Sequence, residues 1–281
     1  RVAAVAVGVL ALSASLSGCS TDADEGVTTL NFFQYKGEAI EDFAKIIADF
    51  EAENPDIKVV QNQIADSETA IRTLLVKDRT PDVITLNANG NFGRLAEAGV
   101  FHDFSEDPVL QTVSPAVQEI LAELGNAEGE VNGLGYVNNA NGIIYNREIF
   151  EEQGIEVPTT WDELIAACDA LEAAGITPFA GTLADSWTGM PSWNAIGAYA
   201  SQDGFFEHMR AEGDAVGPDS AVSFEQDFPD TMAKQQQLFG YTQDGYRGAS
   251  YDDGSALFAN GEVAMLMQGI WALSPVKNIN P

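Results

Sequence analysis

Between Val27 and Leu86, short apolar runs alternate with segments of helical period, and this alternation restricts the chain to a layered α/β architecture. Val27 to Phe33 reads as a strand. Ile40, Phe43, Ile47 and Phe50 then recur at helical spacing until Asn54 and Pro55 stop the helix. Ile57 to Val60 reads as a second strand, and Ile71, Leu74 and Leu75 mark a second helix. Pro81 to Leu86 has the near-continuous apolar character of a buried parallel strand. The order β-α-β-α-β predicts a largely parallel sheet covered by helices.

The same logic extends along the chain. Helices are expected from Phe92 to Ala98 and around Val117 to Leu124, followed by a hairpin-like segment at Glu130 to Gly135. Thr160-Trp161-Asp162-Glu163 has the form of a capping box, in which the threonine hydroxyl and the glutamate carboxylate each accept a backbone N–H of the other's residue. Trp161, Leu164, Ile165, Cys168 and Leu171 then form one apolar face, which places Cys168 in the core, and Gly175 ends the helix. Ala180 to Gly254 is rich in Gly, Ser, Asp, Gln and aromatics and has weaker periodicity, as expected of helices separated by functional loops. Glu262 to Met267 reads as another strand. With 281 residues and 45% hydrophobic content, the chain can fill one large core or two ordinary ones.

The first 18 residues carry Arg1, an apolar stretch from Val2 to Leu12 and a small-residue zone, the layout of an export signal too short to span a bilayer. Leu16-Ser17-Gly18-Cys19 resembles the bacterial lipobox, so Cys19 is expected to be acylated after cleavage, with 19–26 as a tether to the outer face of the cell membrane. The remaining cysteine, Cys168, then has no disulfide partner. A formal charge of -30 repels phosphate backbones and anionic lipid surfaces and excludes nucleic acid as a partner. The residue inventory also argues against common hydrolytic chemistry. There are two histidines, no Gly-x-Ser-x-Gly elbow and no His/Cys cluster of zinc-ligand spacing, and no carboxylate pair stands out among the 43 acidic residues for glycoside hydrolysis. No cofactor and no catalytic activity are expected.

Several segments in this order resemble the extracellular solute-binding proteins of carbohydrate ABC transporters, solute-binding family 1. They are Pro81 to Ile84 with Leu95 to Phe101, Gly142 to Phe150, Pro158 to Leu164 with Gly175 to Pro178, and Phe258 to Met265 leading to Gly269-Ile270-Trp271. The resemblance spans roughly 27 to 275. It implies a two-lobed α/β periplasmic-binding-protein-like fold of the class II type, with hinge crossings between the lobes. Lobe one would comprise 27–136 with about 262–281 returning to it, and lobe two 137–261. Family members are typically longer, so the chain looks C-terminally truncated with lobe two incomplete. The function implied is capture of a mono- or oligosaccharide between the lobes and its delivery to ABC permease subunits by a monomeric, lipid-anchored subunit. A peptide or metal binder on the same fold, or more remotely a secreted glycoside hydrolase, is the alternative.

A sugar offers C–H faces and a rim of hydroxyls, so its site needs aromatic platforms with planar amides or carboxylates around them. Trp271 occupies the position where the family places a stacking aromatic, and Trp187 lies in the polar run Asp185 to Gly189; Trp193 is a further aromatic candidate. For hydrogen bonds the candidates are Asn89, in the loop after a buried strand, Asn138 and Asn139 at the expected crossover, Tyr35 and Glu38 after the first strand, and Asp253 with Asp252 before the last helix. Asn and Gly favour turns and Asp favours caps, so local backbone chemistry competes for each of these polar residues. The sequence departs from the family at Gly135-Tyr136-Val137-Asn138, where many members carry a proline.

Overall fold

The computed structural model describes residues 26–281 apart from Ala65 and Pro218. The expected export signal, Cys19 and the tether before Gly26 lie outside the described residues. Packing divides the chain into two compact units, one reaching to Phe92 and the other running from Gly93 to Pro281.

In the first unit β1 (Thr28–Gln34), α1 (Ile40–Glu53), β2 (Ile57–Gln63), α2 (Ser67–Val76) and β3 (Val83–Ile84) reproduce the expected β-α-β-α-β order. The sheet is wholly parallel in the order β2-β1-β3, with Leu30 opposite Val59 and Phe33 opposite Ile84. As the middle strand, β1 buries Phe32, Phe33 and Gln34. The run at Pro81 to Leu86 yields only a two-residue strand, and Val83 is exposed. The exposure of Val83 fits the edge position of β3, which pairs with β1 alone and is not enclosed as an inner parallel strand is. The Asp66 side chain accepts from the Thr69 N–H and caps α2.

Helix α3 (Gly90–Glu97) spans the division, and the second unit adds α4 (Pro115–Leu124), β4 (Asn141–Tyr145), α5 (Arg147–Gln153), α6 (Trp161–Ala173), β5 (Thr177–Phe179), α7 (Met190–Gly197) and α8 (Phe205–Glu212). These are followed by α9 (Phe224–Asp227), α10 (Pro229–Gly240), α11 (Tyr251–Ala259), β6 (Val263–Gly269) and α12 (Leu273–Ile279). The segment from Glu130 to Gly135, read as hairpin-like, forms no strand. Its Asn132 is buried and accepts from the Ala127 N–H, so side-chain bonds replace a ladder there.

The capping box of α6 forms as read: Thr160 Oγ1 accepts from the Glu163 N–H at 3.3 Å, and Glu163 accepts from the Thr160 N–H at 3.1 Å. Its apolar face joins Phe150, Leu164, Cys168, Leu171, Phe179, Leu238 and Met265 in one cluster. Burial, together with the neighbouring charge of Asp169, pushes the Cys168 thiol up to about 12.

The second sheet has the order β4-β6-β5, with β4 antiparallel and β5 parallel to the buried central strand β6. Val263–Gly269, in the segment expected to return to the first lobe, hydrogen-bonds on both sides to strands of the second unit. No periodicity along β6 could reveal its partners, since pairing is a non-local choice.

Candidate functional site

The second unit gathers three aromatic rings from three separate elements. Trp187 lies in a 3-10 turn at Ser186–Gly189, Tyr251 is the first residue of α11, and Trp271 sits in the turn Ile270–Ala272 that leaves β6. The centroid of Trp187 is 5.1 Å from that of Tyr251 and 6.3 Å from that of Trp271, with the rings tilted by 50° and 54°. These are attractive aromatic geometries. Trp187 is 44% exposed, so the cluster presents a partly open indole in contact with two further rings.

The loop carrying Trp187 is held by backbone chemistry. Asp185 accepts from the Tyr251 N–H at 2.7 Å, which ties the turn to the start of α11. Thr188 donates to the carbonyls of Thr182 and Asp185, and the Gln243 amide makes two bonds to the backbone of Gly181, at 2.8 and 2.7 Å. Trp271 is placed by packing instead. Its indole N–H is buried and makes no hydrogen bond, while its ring lies where a side chain on Gly269 would be: a Cβ there would come within 2.0 Å of the ring. Only glycine at 269 allows the ring this position.

The structure thus brings Trp187 and Trp271 together, as candidates from the sequence, and adds two residues that sequence reasoning passed over, Tyr251 and Asp185. Tyr251 stands directly beside the singled-out Asp252 and Asp253, and an aromatic between a cap serine and two acids was the available signal. Asn138 and Asn139 are exposed just before β4. Asn141 is opposite Gly269, and the Ile270 N–H donates to Ala140, so these amides approach the same end of the sheet as Trp271.

Two candidates have local duties. Asp253 closes the capping box of α11, accepting from the Ser250 N–H at 2.8 Å and its hydroxyl at 2.7 Å, and the backbone bond holds its carboxyl below the usual range. Trp193 is away from the three-ring cluster and stacks on Phe228 at 5.6 Å, in a group that includes Phe205 and Phe224.

In the first unit, the remaining candidates lie beyond the carboxyl ends of the strands. Asn89 donates to Glu68 at 2.8 Å while its side-chain oxygen accepts from the backbone N–H groups of Asn91 and Phe92, so it caps α3. Asn91 bonds both Glu68 and Arg72, two residues of α2 that sequence reasoning did not single out. Tyr35 and Glu38 flank Lys36, whose ammonium is 3.3 Å from Glu38 and lies over the Tyr35 ring at 5.2 Å. Among the described residues there is no group of three or more His, Cys, Asp or Glu side chains that could hold a metal ion. No described helix is long and apolar enough to cross a membrane.

A family model for bacterial extracellular solute-binding proteins matches residues 36–281. The chain is 29% identical over 285 residues to the multiple sugar-binding protein of Streptococcus mutans, covering 98% of this chain and 66% of that protein. Over a shorter stretch, 58% of this chain and 39% of the relative, it is 27% identical to the melibiose/raffinose/stachyose-binding protein MelE of Bacillus subtilis. Among solved structures, RafE in complex with raffinose superposes with a TM-score of 0.77 at 29% identity, over 91% of this chain and 66% of that one. The apo form of RafE from Streptococcus pneumoniae superposes with a TM-score of 0.67 at 28% identity, over 91% and 65%. The chain therefore spans about two thirds of the length of these full-length relatives.

Proposed function

The chain belongs to the bacterial extracellular solute-binding protein family, and from that premise we propose that it captures a mono- or oligosaccharide and delivers it to the permease of an ABC importer, performing no chemistry on it. The observation that carries this reading is the cluster of Trp187, Tyr251 and Trp271, in which the partly exposed Trp187 packs with two further rings. A tilted aromatic surface matches the C–H face of a pyranose, and the exposed Asn138 and Asn139 near the same sheet end are suited to its hydroxyls. The relatives named for sugars support the ligand class, and the raffinose complex of RafE supports an oligosaccharide in particular. We further propose that Cys19 carries the acyl chains that hold the protein on the outer face of the membrane.

The test is titration of the natural mature protein with raffinose, stachyose and maltotriose, followed by tryptophan emission and calorimetry, with amino acids, peptides and divalent metal ions as controls. A sugar is expected to bind with no product formed. Trp187→Ala and Trp271→Ala are each expected to weaken binding by about tenfold or more, the scale of one lost aromatic contact. Binding of a peptide or metal alone, or an unchanged sugar affinity in both variants, would sink the proposal.

A further inference from the structure

The second unit contains a cavity of about 20 Å³ whose lining includes Thr182, Thr188, Ser192, Gln235 and Gln268. Gln235 is 8% exposed and Gln268 4%, and the side-chain oxygen of each is buried and accepts no hydrogen bond. The orientation of Gln235 is set by its other atom: Nε2 donates to Ser192 Oγ at 2.8 Å and to the Gly189 carbonyl at 3.2 Å, so a flipped amide would turn an oxygen onto a carbonyl. Two buried acceptors lining one cavity, one on α10 and one on β6, call for a compact group with two donors.

We propose that Gln235 and Gln268 bind a single internal water, which donates one hydrogen to each Oε1. The size fits, since a water needs roughly 10–15 Å³ of such space and two to four polar partners. The chemistry also fits. An ammonium ion offers the same donors, but the lining named above carries no charge to balance one, and burying an unpaired charge is far costlier than burying a neutral donor. Bound there, the water joins α10 to β6. Through the bonds of Gln235 to Gly189 and Ser192, it also ties the turn holding Trp187 to the strand leading to Trp271.

A crystal structure of the natural protein at about 1.5 Å, a resolution at which ordered waters are seen, tests this directly. The expected result is one density peak within about 2.7–3.2 Å of the side-chain amides of both Gln235 and Gln268. Gln268→Leu, which covers the strand position with an apolar side chain of similar bulk, is expected to fold and to lose the peak. A map of the unaltered protein with no peak, a peak bonded to one glutamine only, or the two amides bonded directly to each other would overturn the proposal. So would a peak that persists in the folded Gln268→Leu variant.

Discussion

Gly269 is the residue on which the aromatic cluster most depends, although it contributes no side chain. A methyl group at 269 would lie 2.0 Å from the Trp271 ring, well inside van der Waals contact, so in Gly269→Ala the indole must swing away from its place beside Trp187. The Trp271 N–H has no protein partner, so among the protein's own contacts packing is what holds the ring. Gly269→Ala should therefore weaken sugar binding by about tenfold and also destabilise the fold by about 1–3 kcal/mol, the scale of an overpacked buried site, as checked by titration and calorimetry on one preparation. At the same scale, the Cys168 thiol is raised by burial to about 12 from an ordinary value near 9. A folded-state pKa above the unfolded one gives stability that is present below pH 9 and lost as pH climbs from about 9 toward 12. In Cys168→Ala that alkaline loss should be smaller, and in the parent a thiol reagent at pH 8 should react only on unfolding. The placement of Cys168 was legible in the sequence because its neighbours repeat at helical spacing. The pairing of Trp187 with Trp271 was not, because the two are brought together by a sheet and a turn far apart in the chain.

Elements whose causes are local were the most readable. The α6 capping box needs only Thr160, Glu163 and the backbone between them, and it forms as the sequence indicates. Thr160→Ala removes the acceptor for the Glu163 N–H and should destabilise the protein by about 1 kcal/mol in urea unfolding, with an unchanged slope. Glu163 itself is held below the usual carboxylate range, chiefly by the Thr159 backbone N–H. Its contribution is therefore present above the ordinary carboxylate pKa and is lost as pH falls through its lowered one. Elements defined by their partners were less readable: β3 pairs with β1 over two residues only, and β6 pairs with β4 and β5. The polar candidates Asn89 and Asp253 show the same limit from the other side. Both form caps, a duty that the turn and cap chemistry of their residue types had already suggested beside the binding role.

At the scale of the whole molecule, composition and segment order sufficed for the fold class and the family, since both rest on features spread over most of the chain. The proposed membrane attachment rests on one residue, Cys19. Cys19→Ser should release the natural protein into the soluble extracellular or periplasmic fraction, and mass spectrometry of the unaltered N-terminus should find a diacylglyceryl-modified cysteine. An unmodified Cys19, or an unchanged membrane fraction in the variant, would refute the anchor. In either case the acidic character of the chain disfavours retention by anionic lipid headgroups alone.

The position of β6 also bears on how the protein is made. Ile144 cannot meet Leu266, nor Phe179 meet Met265, until the ribosome has synthesised the last of these residues, so β4 and β5 wait for a shared neighbour through most of the second unit. A sheet that closes only on a late-synthesised strand folds slowly because its contacts span long loops. The sheet of the second unit therefore stays open until translation has passed Gly269.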